Sequence, residues 1–405
     1  MGSTNHLVLA VAGGRKTQSI VQACVDSPSE RKILVLGYTR ASQDELVTRI
    51  NVAAPFKRNV EVMGWYALLL RHLIRPYLPL KYPGHRLTGL NFDGEPAAGR
   101  YAAGAARYLD AQDRAYQLHL SKLALDVMEV SRGAVIDRLQ HIYDEIYIDE
   151  AQDLGGCDLD ILESLFKSTI DVRLVGDMRQ ALLSTNVRDP RHRKYRFANL
   201  IDWFRLHEAG GLLSIEEQPE SYRSNQVIAD FSDSVFANRG QYSPTVSRSI
   251  VSHCHSGLFA VSPIDVPAYR QFFDPLCLRH GANSGGGLDL PYVSFGNAKG
   301  RTVPHVLIYP TAGIRSFLNK GTELEGRTAC ALYIAATRAQ HSVAFILDGG
   351  DAPQLTAWSA SEPDAMRTDR AMGWAAAATT LQVPQPLKAC VAQSPQPSGS
   401  SGAEV

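Results

Sequence analysis

Residues 146–153 read IYIDEAQD, and this short stretch decides the fold class. Three apolar residues followed directly by Asp149 and Glu150 are typical of a buried strand that ends in carboxylates. In a parallel sheet, the carboxyl ends of the strands form the edge at which ligands bind. There Asp149 can hold Mg²⁺, and Glu150 can orient and deprotonate an attacking water. The stretch predicts an α/β fold with its site at that edge, and an acidic turn exposed to solvent is the simpler alternative.

The N-terminal region supplies the expected partner of this acidic edge. Leu7–Val11 is an apolar strand, and residues 12–17 (AGGRKT) lead from it into a helix. Small residues let backbone N–H groups wrap phosphates at a helix N-terminus, while a Lys contacts the β- and γ-phosphates and a Thr binds Mg²⁺. Lys16 and Thr17 fit that pattern. Arg15 departs from it, because it brings a side chain and a charge to a position where glycine is usual.

Four further stretches follow along the chain. They are 174–180 (LVGDMRQ), 221–224 (SYRS), 294–300 (SFGNAKG) and 332–339 (LYIAATRA). The amide of Gln180, just after a strand, can hold the attacking water or sense a terminal phosphate. An Arg on a helix is usually a surface residue, so Arg223 and Arg338 gain significance only because all six stretches occur in one order.

With these six stretches the chain resembles superfamily 1 helicases of the UvrD/Rep group, from Ala10 to about Leu347. The resemblance implies two RecA-like parallel-sheet lobes that close on ATP, with a helical insertion in the first lobe and a small insertion in the second. It also implies roles for single residues: Gly13, Gly14, Arg15, Lys16, Thr17 and Tyr222 bind the nucleotide, Thr17 and Asp149 hold Mg²⁺, and Glu150, Gln180, Arg223 and Arg338 act in catalysis. The two arginines would be arginine fingers, whose guanidinium groups stabilise the charge on a transferring phosphoryl group.

The activity that the resemblance implies is ATP-dependent movement along single-stranded DNA, 3′ to 5′, with or without unwinding of a duplex. The sequence looks nearest to compact UvrD-like proteins of bacterial anti-phage systems, such as the helicase subunit of Gabija. We therefore expect a protein partner such as a nuclease, and both DNA repair and anti-phage defence stay open as pathways. The alternative is a DNA-sensing module that binds nucleotide, hydrolyses it weakly and regulates a partner nuclease. Arg15 favours that alternative, whereas Glu150 and the two arginines favour the motor.

Weaker signals predict the DNA contacts, since single-strand translocases combine a basic groove with stacking aromatic side chains. The candidates are Thr39 and Arg40 after the second strand, Trp65 and Tyr66, and Arg191, Arg193 and Lys194 in the basic run 188–196. For Trp65, a place in the core beside the leucines at 68–70 is as well supported as stacking on a base. For the basic run, a loop exposed to solvent is the alternative.

Length and composition bound the domain organisation. The 405 residues carry 41 Lys+Arg against 41 Asp+Glu, so a histone-like basic coat is excluded but a local basic groove is not. The sequence has neither a signal-peptide core nor an apolar run of the ~18–20 residues that a membrane helix needs, and we expect a cytoplasmic protein without a membrane partner. Apolar runs predict further strands at 33–36, 172–175, 306–309 and 343–347. We expect the first lobe over 1–200 with an insertion at about 71–140, the second over 201–350 with a reduced insertion at about 242–290, and a tail over 351–405 that is largely disordered from about 383.

Overall fold

Alternation of short apolar strands with helices produces two parallel sheets. The computed structural model describes residues 5–183, 185, 188–236, 241–250, 253–281, 284, 287–347, 352 and 354–360. The strands are β1 (His6–Ala10), β2 (Ile33–Gly37), β3 (Val60–Gly64), β4 (Gly89–Asn91), β5 (Arg114–Tyr116), β6 (Glu145–Ile148), β7 (Asp171–Gly176), β8 (Ser214–Gln218), β9 (Glu220–Ser221), β10 (Val246–Ser247), β11 (Gly257–Val261), β12 (Leu276–Arg279), β13 (Val293–Ser294), β14 (Val303–Tyr309), β15 (Ala339–Ile346) and β16 (Thr356–Trp358). The α-helices are α1 (Lys16–Asp26), α2 (Arg40–Ala53), α3 (Trp65–Leu68), α4 (Leu78–Lys81), α5 (Leu120–Val130), α6 (Ala134–Ile142), α7 (Cys157–Phe166), α8 (Leu200–Ala209), α9 (Gln226–Ser234), α10 (Val266–Phe273), α11 (Ala312–Lys320) and α12 (Gly326–Ala336).

The first sheet contains six parallel strands in the order β3-β2-β6-β7-β1-β8. Strand β2 reads ILVLG and is buried throughout, which is the pattern of a strand covered on both faces. Ile33 and Val35 pack with the helices α1 and α2 on one face. Leu34 and Leu36 pack with α5, α7 and α8 in the core on the other face. Successive residues of one strand therefore serve two separate hydrophobic layers.

The second sheet also contains six parallel strands, in the order β13-β12-β14-β15-β11-β16. Val343 and Phe345 of β15 lie in a core shared with α9, α11 and α12. Ala344 and Ile346 pack with α10 on the opposite face. The two sheets confirm the predicted α/β class with two lobes, and each strand predicted from an apolar run falls on an observed strand.

Several elements lie elsewhere than the predicted domain limits place them. Strand β8 pairs with β1, so the first sheet continues beyond the expected limit at residue 200. Its sequence, SIEEQ, has one apolar residue and carries no strong strand signal. Strands β11 and β12, inside the expected insertion at 242–290, pair with β15 and β14 of the second sheet. They are short apolar runs between Ser- and Gly-rich loops, and the composition of those loops conceals them.

The remaining segments concern the expected insertion and tail. Residues 71–140 lie between β3 and β6 along the chain and contain α4, α5, α6 and the short β4–β5 pair. Strand β16 joins the edge of the second sheet, although it falls in the expected tail. Residues 361–405, and with them the predicted disorder from 383, lie outside the described residues. Within the described ranges, no helix combines the length and apolar character needed to cross a membrane.

Two buried histidines lie at the amino ends of central strands in the second sheet. His255, just before β11, is stacked between the rings of Phe259 and Phe273, with ring centroids 4.0 and 3.8 Å away. His305 of β14 bonds through Nδ1 to Ser342 Oγ at 2.8 Å. Burial lowers the pKa of both imidazoles to about 3, and neighbouring imidazoles lower it further in the same direction. The folded protein therefore holds both rings neutral at pH 7.

We expect the free energy of unfolding to fall with pH because of these two rings. The unfolded chain takes up their protons near pH 6.5, whereas the folded chain does so only near pH 3. Their contribution is complete above pH 6.5 and is lost as the pH falls toward 3, with a cost of about 2 kcal/mol per ring at pH 5. Urea unfolding of His305→Gln at pH 7.5 and 5.0 should show a weaker pH dependence than the unmodified protein. The exposed His141→Gln is the control, and equal pH dependence in all three proteins would contradict the assignment.

Candidate functional site

A cavity of about 720 Å³ lies between the two lobes and collects residues from distant parts of the chain. It lies where β1 and β6 end in the first lobe and where β14 and β15 begin in the second. Its lining includes Gly13, Gly14, Arg15, Lys16, Thr17, Gln18, Glu45, Arg49, Glu150, Gln180, Tyr222, Arg223, Lys299, Gly300, Thr302, Arg338 and Gln340. Every residue predicted to bind the nucleotide or to act in catalysis is in this set. Asp149 lies directly behind it, in contact with Thr17.

The loop between β1 and α1 is shaped by two residues with positive φ. Gly13 has φ 80°, and a Cβ there would lie 2.7 Å from Cβ of Arg223. Arg15 has φ 56° and is the N-cap of α1, a conformation that costs a non-glycine residue of the order of 1–3 kcal/mol. Nζ of Lys16 donates to the carbonyl of Val11 at 3.1 Å, so the ammonium folds back over the loop. The loop therefore presents a cation and the N-terminus of α1 to the cavity.

The two carboxylates after β6 differ in their surroundings. Oγ1 of Thr17 donates to Oδ2 of Asp149 at 3.3 Å, and burial together with the Glu150 charge raises the pKa of Asp149. Burial alone would also raise the pKa of Glu150, but Lys299 and Lys16 lower it below its ordinary value. Glu150 has φ 57°, and such strain in a non-glycine residue is often found at functional sites. Glu150 is thus ionised and held at the cavity wall.

A buried network joins the loop after β7 to the second lobe. Nε2 of Gln180 donates to Asp177 at 3.0 Å, and the hydroxyl of Tyr333 donates to the same carboxylate at 2.8 Å. The backbone N–H of Ala12 reaches that hydroxyl at 3.4 Å. Burial alone would raise the pKa of Asp177, but Arg179 beside it lowers it. Asp177 and Tyr333 lie in quoted stretches, yet the local pattern assigned neither residue a role.

The two predicted finger arginines reach the cavity from the second lobe. Nη1 of Arg223 donates to the carbonyl of Thr337 at 3.0 Å. Nη2 of Arg338 donates to Oε1 of Gln180 at 3.4 Å, which places it beside the first lobe. Burial and the charge of Arg223 lower the pKa of Arg338 to about 9, so both guanidinium groups are cations at neutral pH. Two cations that face each other across an open cavity favour an anionic ligand.

Lys299 is a further cation at the site to which the sequence assigned no role. Its Nζ lies 2.8 and 2.9 Å from the two carboxylate oxygens of Asp153 and 3.3 Å from Oε2 of Glu150. The pair joins the second lobe to the acidic stretch of the first. The lysine of the 294–300 stretch was visible in the sequence, but its partners could be found only in three dimensions.

Arg15 and Tyr222 form a stack at the outer part of the cavity. Cζ of Arg15 lies 3.8 Å from the centroid of the Tyr222 ring, and the ring is 40% exposed. The backbone N–H of Tyr222 donates to the carbonyl of Gly13 at 3.2 Å, which ties this residue to the phosphate loop. The aromatic ring predicted to stack on adenine therefore already carries a guanidinium group on one face.

The predicted DNA contacts separate into a buried residue and a group at one edge of the first sheet. Trp65 is 3% exposed, and its Nε1 donates to Asp158 Oδ1 at 2.7 Å. A ring buried in the core cannot stack on a base, so we withdraw Trp65 from the predicted contacts. The apolar residues around it allowed both interpretations, and the buried partner Asp158 decides between them.

The other predicted contacts follow strands that end at the same edge. Thr39, after β2, accepts a hydrogen bond from Ser42 and caps α2, and Arg40 after it is exposed. Tyr66, after β3, is half-buried and donates to the carbonyl of Thr185 at 2.7 Å. In the basic run, Arg191 pairs with Asp160 at 3.0 Å, while Arg193 and Lys194 are exposed. Because parallel strands end together, these residues lie on one side of the lobe.

The chemistry that this arrangement allows follows from its charges. Lys16, Arg223 and Arg338 can bind several phosphate oxygens, and Glu150 can accept a proton from water. Thr17 and Asp149 are oxygen ligands in mutual contact, which suits Mg²⁺, a cation that uses one or two protein oxygens together with phosphates and water. In the described part of the chain, no three His, Cys, Asp or Glu side chains are grouped to hold a metal on their own.

Comparison with known proteins gives one family match over part of the chain. Residues 84–184 match the UvrD/REP helicase N-terminal domain, and this range contains Asp149, Glu150 and Gln180. Over 128 residues the chain is 27% identical to an ATP-dependent helicase/nuclease of Oenococcus oeni. That alignment covers 29% of this chain and 10% of the relative.

Solved structures of an arterivirus helicase are also similar. Nonstructural protein 10 (helicase) matches with a TM-score of 0.43 and 14% identity over 85% of this chain and 59% of that one. Its complex with DNA matches with a TM-score of 0.45 and 13% identity, over 85% and 61% of the two chains. This chain thus spans less than two thirds of each of these relatives. Over the region that carries the two acidic residues and Gln180, the chain is similar to UvrD-like helicases.

Proposed function

We propose that this protein is a superfamily 1, UvrD/Rep-like motor that hydrolyses ATP between its two lobes and moves along single-stranded DNA. The observation that carries the proposal is the cavity between the lobes. It brings the phosphate loop, Glu150 and Gln180 of the first lobe against Arg223 and Arg338 of the second. A site that only bound nucleotide would not need a base and two cations supplied across the cleft.

In this proposal the residues have distinct tasks. Lys16 and the N–H groups at Gly13 and Gly14 bind the phosphates, and Gln180 contacts the terminal phosphate or the attacking water. Mg²⁺ held by Thr17 and Asp149 would neutralise phosphate charge. Glu150 accepts the proton of the attacking water. Residues up to about 218 then form the first motor lobe, and the sheet from β11 to β16 forms the second.

For the DNA we propose the edge at which β2, β3 and β7 end. Thr39, Arg40 and Tyr66 would contact one stretch of the strand, and Arg191, Arg193 and Lys194 would bind phosphates. Such contacts make affinity depend on salt concentration. We propose movement from 3′ to 5′ and a link to DNA repair or anti-phage defence on the resemblance alone.

The direct test is ATP hydrolysis by the purified protein with and without single-stranded DNA. We expect DNA to stimulate turnover, and we expect displacement of streptavidin from one end only of a biotinylated oligonucleotide. The alternative is a DNA sensor that regulates a nuclease. Tight nucleotide and DNA binding with no stimulated turnover would favour the sensor and contradict the motor.

Arg15 offers a test of how the phosphate loop works. We expect Arg15→Gly to raise ATP affinity about fivefold, because the nucleotide no longer displaces a cation–π contact of the order of 0.5–1 kcal/mol. Glycine also adopts the positive φ of this position without strain. Isothermal titration with a non-hydrolysable ATP analogue measures the change. A marked loss of affinity would instead show that Arg15 is a phosphate ligand.

We also propose a protein partner, such as a nuclease, that uses the motion or the nucleotide state. Support for it comes from the resemblance to two-component anti-phage systems. Affinity purification from the native cell, with and without DNA, is the test. Recovery of a lone monomer that unwinds duplex DNA efficiently would contradict it.

A further inference from the structure

The outer part of the cavity is where a nucleoside base would lie once the triphosphate occupies the loop between β1 and α1. Of the described residues that line the cavity, Tyr222 alone is aromatic. The polar side chains near it on the first lobe are Gln18 of α1 and Glu45 and Arg49 of α2. These four side chains determine whether the site can distinguish one base from another.

The groups that could read a base are largely engaged with each other. Arg15 covers one face of the Tyr222 ring at 3.8 Å, and the Tyr222 hydroxyl donates to Glu220 at 3.0 Å. Nη2 of Arg49 is 2.5 Å from a carboxylate oxygen of Glu45, so these two charges satisfy one another. A base that stacks against the covered face must displace Arg15. Part of the ~1–3 kcal/mol typical of base stacking is therefore lost.

Gln18 is exposed and remains to contact the base edge. Its amide carries both a donor and an acceptor, and rotation of the amide exchanges their positions. One such group can therefore pair with the edge of adenine or of guanine. It supplies little discrimination unless a second polar group fixes its orientation.

The phosphate side of the same cavity is different. The cations of Lys16, Arg223 and Arg338 are held mainly by backbone carbonyls or an amide oxygen, at 3.1, 3.0 and 3.4 Å. Charge-assisted bonds to phosphate are about twice as strong as the neutral bonds these groups make now. Recognition is therefore concentrated on the triphosphate, which all four ribonucleotides share.

We infer that the site takes nucleoside triphosphates as a class and discriminates weakly among their bases. This inference rests on the proposed nucleotide hydrolysis and names its substrate class. Purines are favoured over pyrimidines only by their larger stacking area, and Arg15 reduces that advantage.

Binding is measured first, so that the result does not depend on turnover. ATP, GTP, CTP and UTP are each titrated against a fluorescent nucleotide bound to the full-length Glu150→Gln protein. We expect dissociation constants within about tenfold of one another. A preference of a hundredfold or more for ATP would overturn the inference, and failure of all four to bind would overturn it together with the proposed function. Similar binding of all four without hydrolysis by the unmodified protein would leave the inference standing and contradict the motor.

A second variant tests the role of Arg15 in this tolerance. Arg15→Ala removes the guanidinium but keeps a Cβ at the same positive φ, so it does not relieve the backbone strain. We expect it to raise the affinity for ATP and GTP about threefold to fivefold more than that for CTP and UTP. Arg58→Ala, an exposed arginine outside the cavity, is the matched control. An unchanged ratio of purine to pyrimidine affinity would show that Arg15 does not compete with the base.

Discussion

Replacing Glu150 with glutamine is expected to lower the rate of ATP hydrolysis by about 10²-fold or more, with nucleotide affinity nearly unchanged. The amide keeps the shape of the side chain but cannot accept the proton of the attacking water, and general-base catalysis of this kind is worth about 10²–10⁴ in rate. Lys16, Thr17 and Asp149 remain to bind the nucleotide. The expected signature is a fall in kcat at constant dissociation constant.

Two features of the structure sharpen this expectation. Lys299 and Lys16 keep Glu150 ionised against the effect of burial, so the base is already in its reactive form at neutral pH. Lys299 also keeps Asp153 as a partner when Glu150 becomes neutral, so no cation is left buried and unpaired. Glu216→Gln, on the exposed side of β8, is the control for a neutralised carboxylate outside the cavity. Turnover close to that of the unmodified protein in Glu150→Gln would remove Glu150 from the mechanism.

Alanine at Arg223 or at Arg338 is expected to reduce kcat by about 10³-fold or more, with a much smaller effect on ATP binding. A guanidinium that stabilises the charge of the transferring phosphoryl group contributes about 10³–10⁵ in related reactions. Both arginines come from the second lobe, and Arg338 already touches Gln180 of the first. Steady-state kinetics and equilibrium nucleotide titration on the same preparations separate the two effects.

Lysine at the same positions provides the more informative comparison. It retains the charge but loses the planar fork of donors, so we expect it to recover only part of the rate lost in the alanine variant. Arg58→Ala again controls for the loss of an exposed arginine. If alanine mainly weakened ATP binding and left turnover intact, catalysis across the two lobes would be wrong.

The sequence predicted the parts of the fold that have strong local signals. Strands such as β2 and β6 are continuous apolar runs, and in a parallel sheet their ends must meet at one edge. The acidic stretch and the phosphate loop could therefore be predicted to face each other, and Thr17 and Asp149 are indeed in contact. Edge strands were harder, because β8 is exposed and its residues are selected for solvent rather than for a core.

The site was predicted by residue type but not by contact. Nothing local to Arg15 indicates that its guanidinium lies on the Tyr222 ring, since the two residues are far apart in the sequence. The same holds for Lys299 and its partners in the acidic stretch. Trp65 shows the limit from the other side, because an aromatic residue beside leucines fits a core and a stacking surface equally until a buried partner is seen.

The absence of a side chain at Gly13 has a consequence for how this protein can vary. A methyl group there would overlap Cβ of Arg223 at 2.7 Å, although the two residues belong to different lobes. The two positions are therefore not free to change independently, and a substitution at either alters which residues the other tolerates. Epistasis of this kind is measured as non-additivity in a double-mutant cycle. A variant that gained bulk at position 13 would be expected to regain function through changes at position 223 or its backbone neighbours, far away in the sequence and in the opposite lobe.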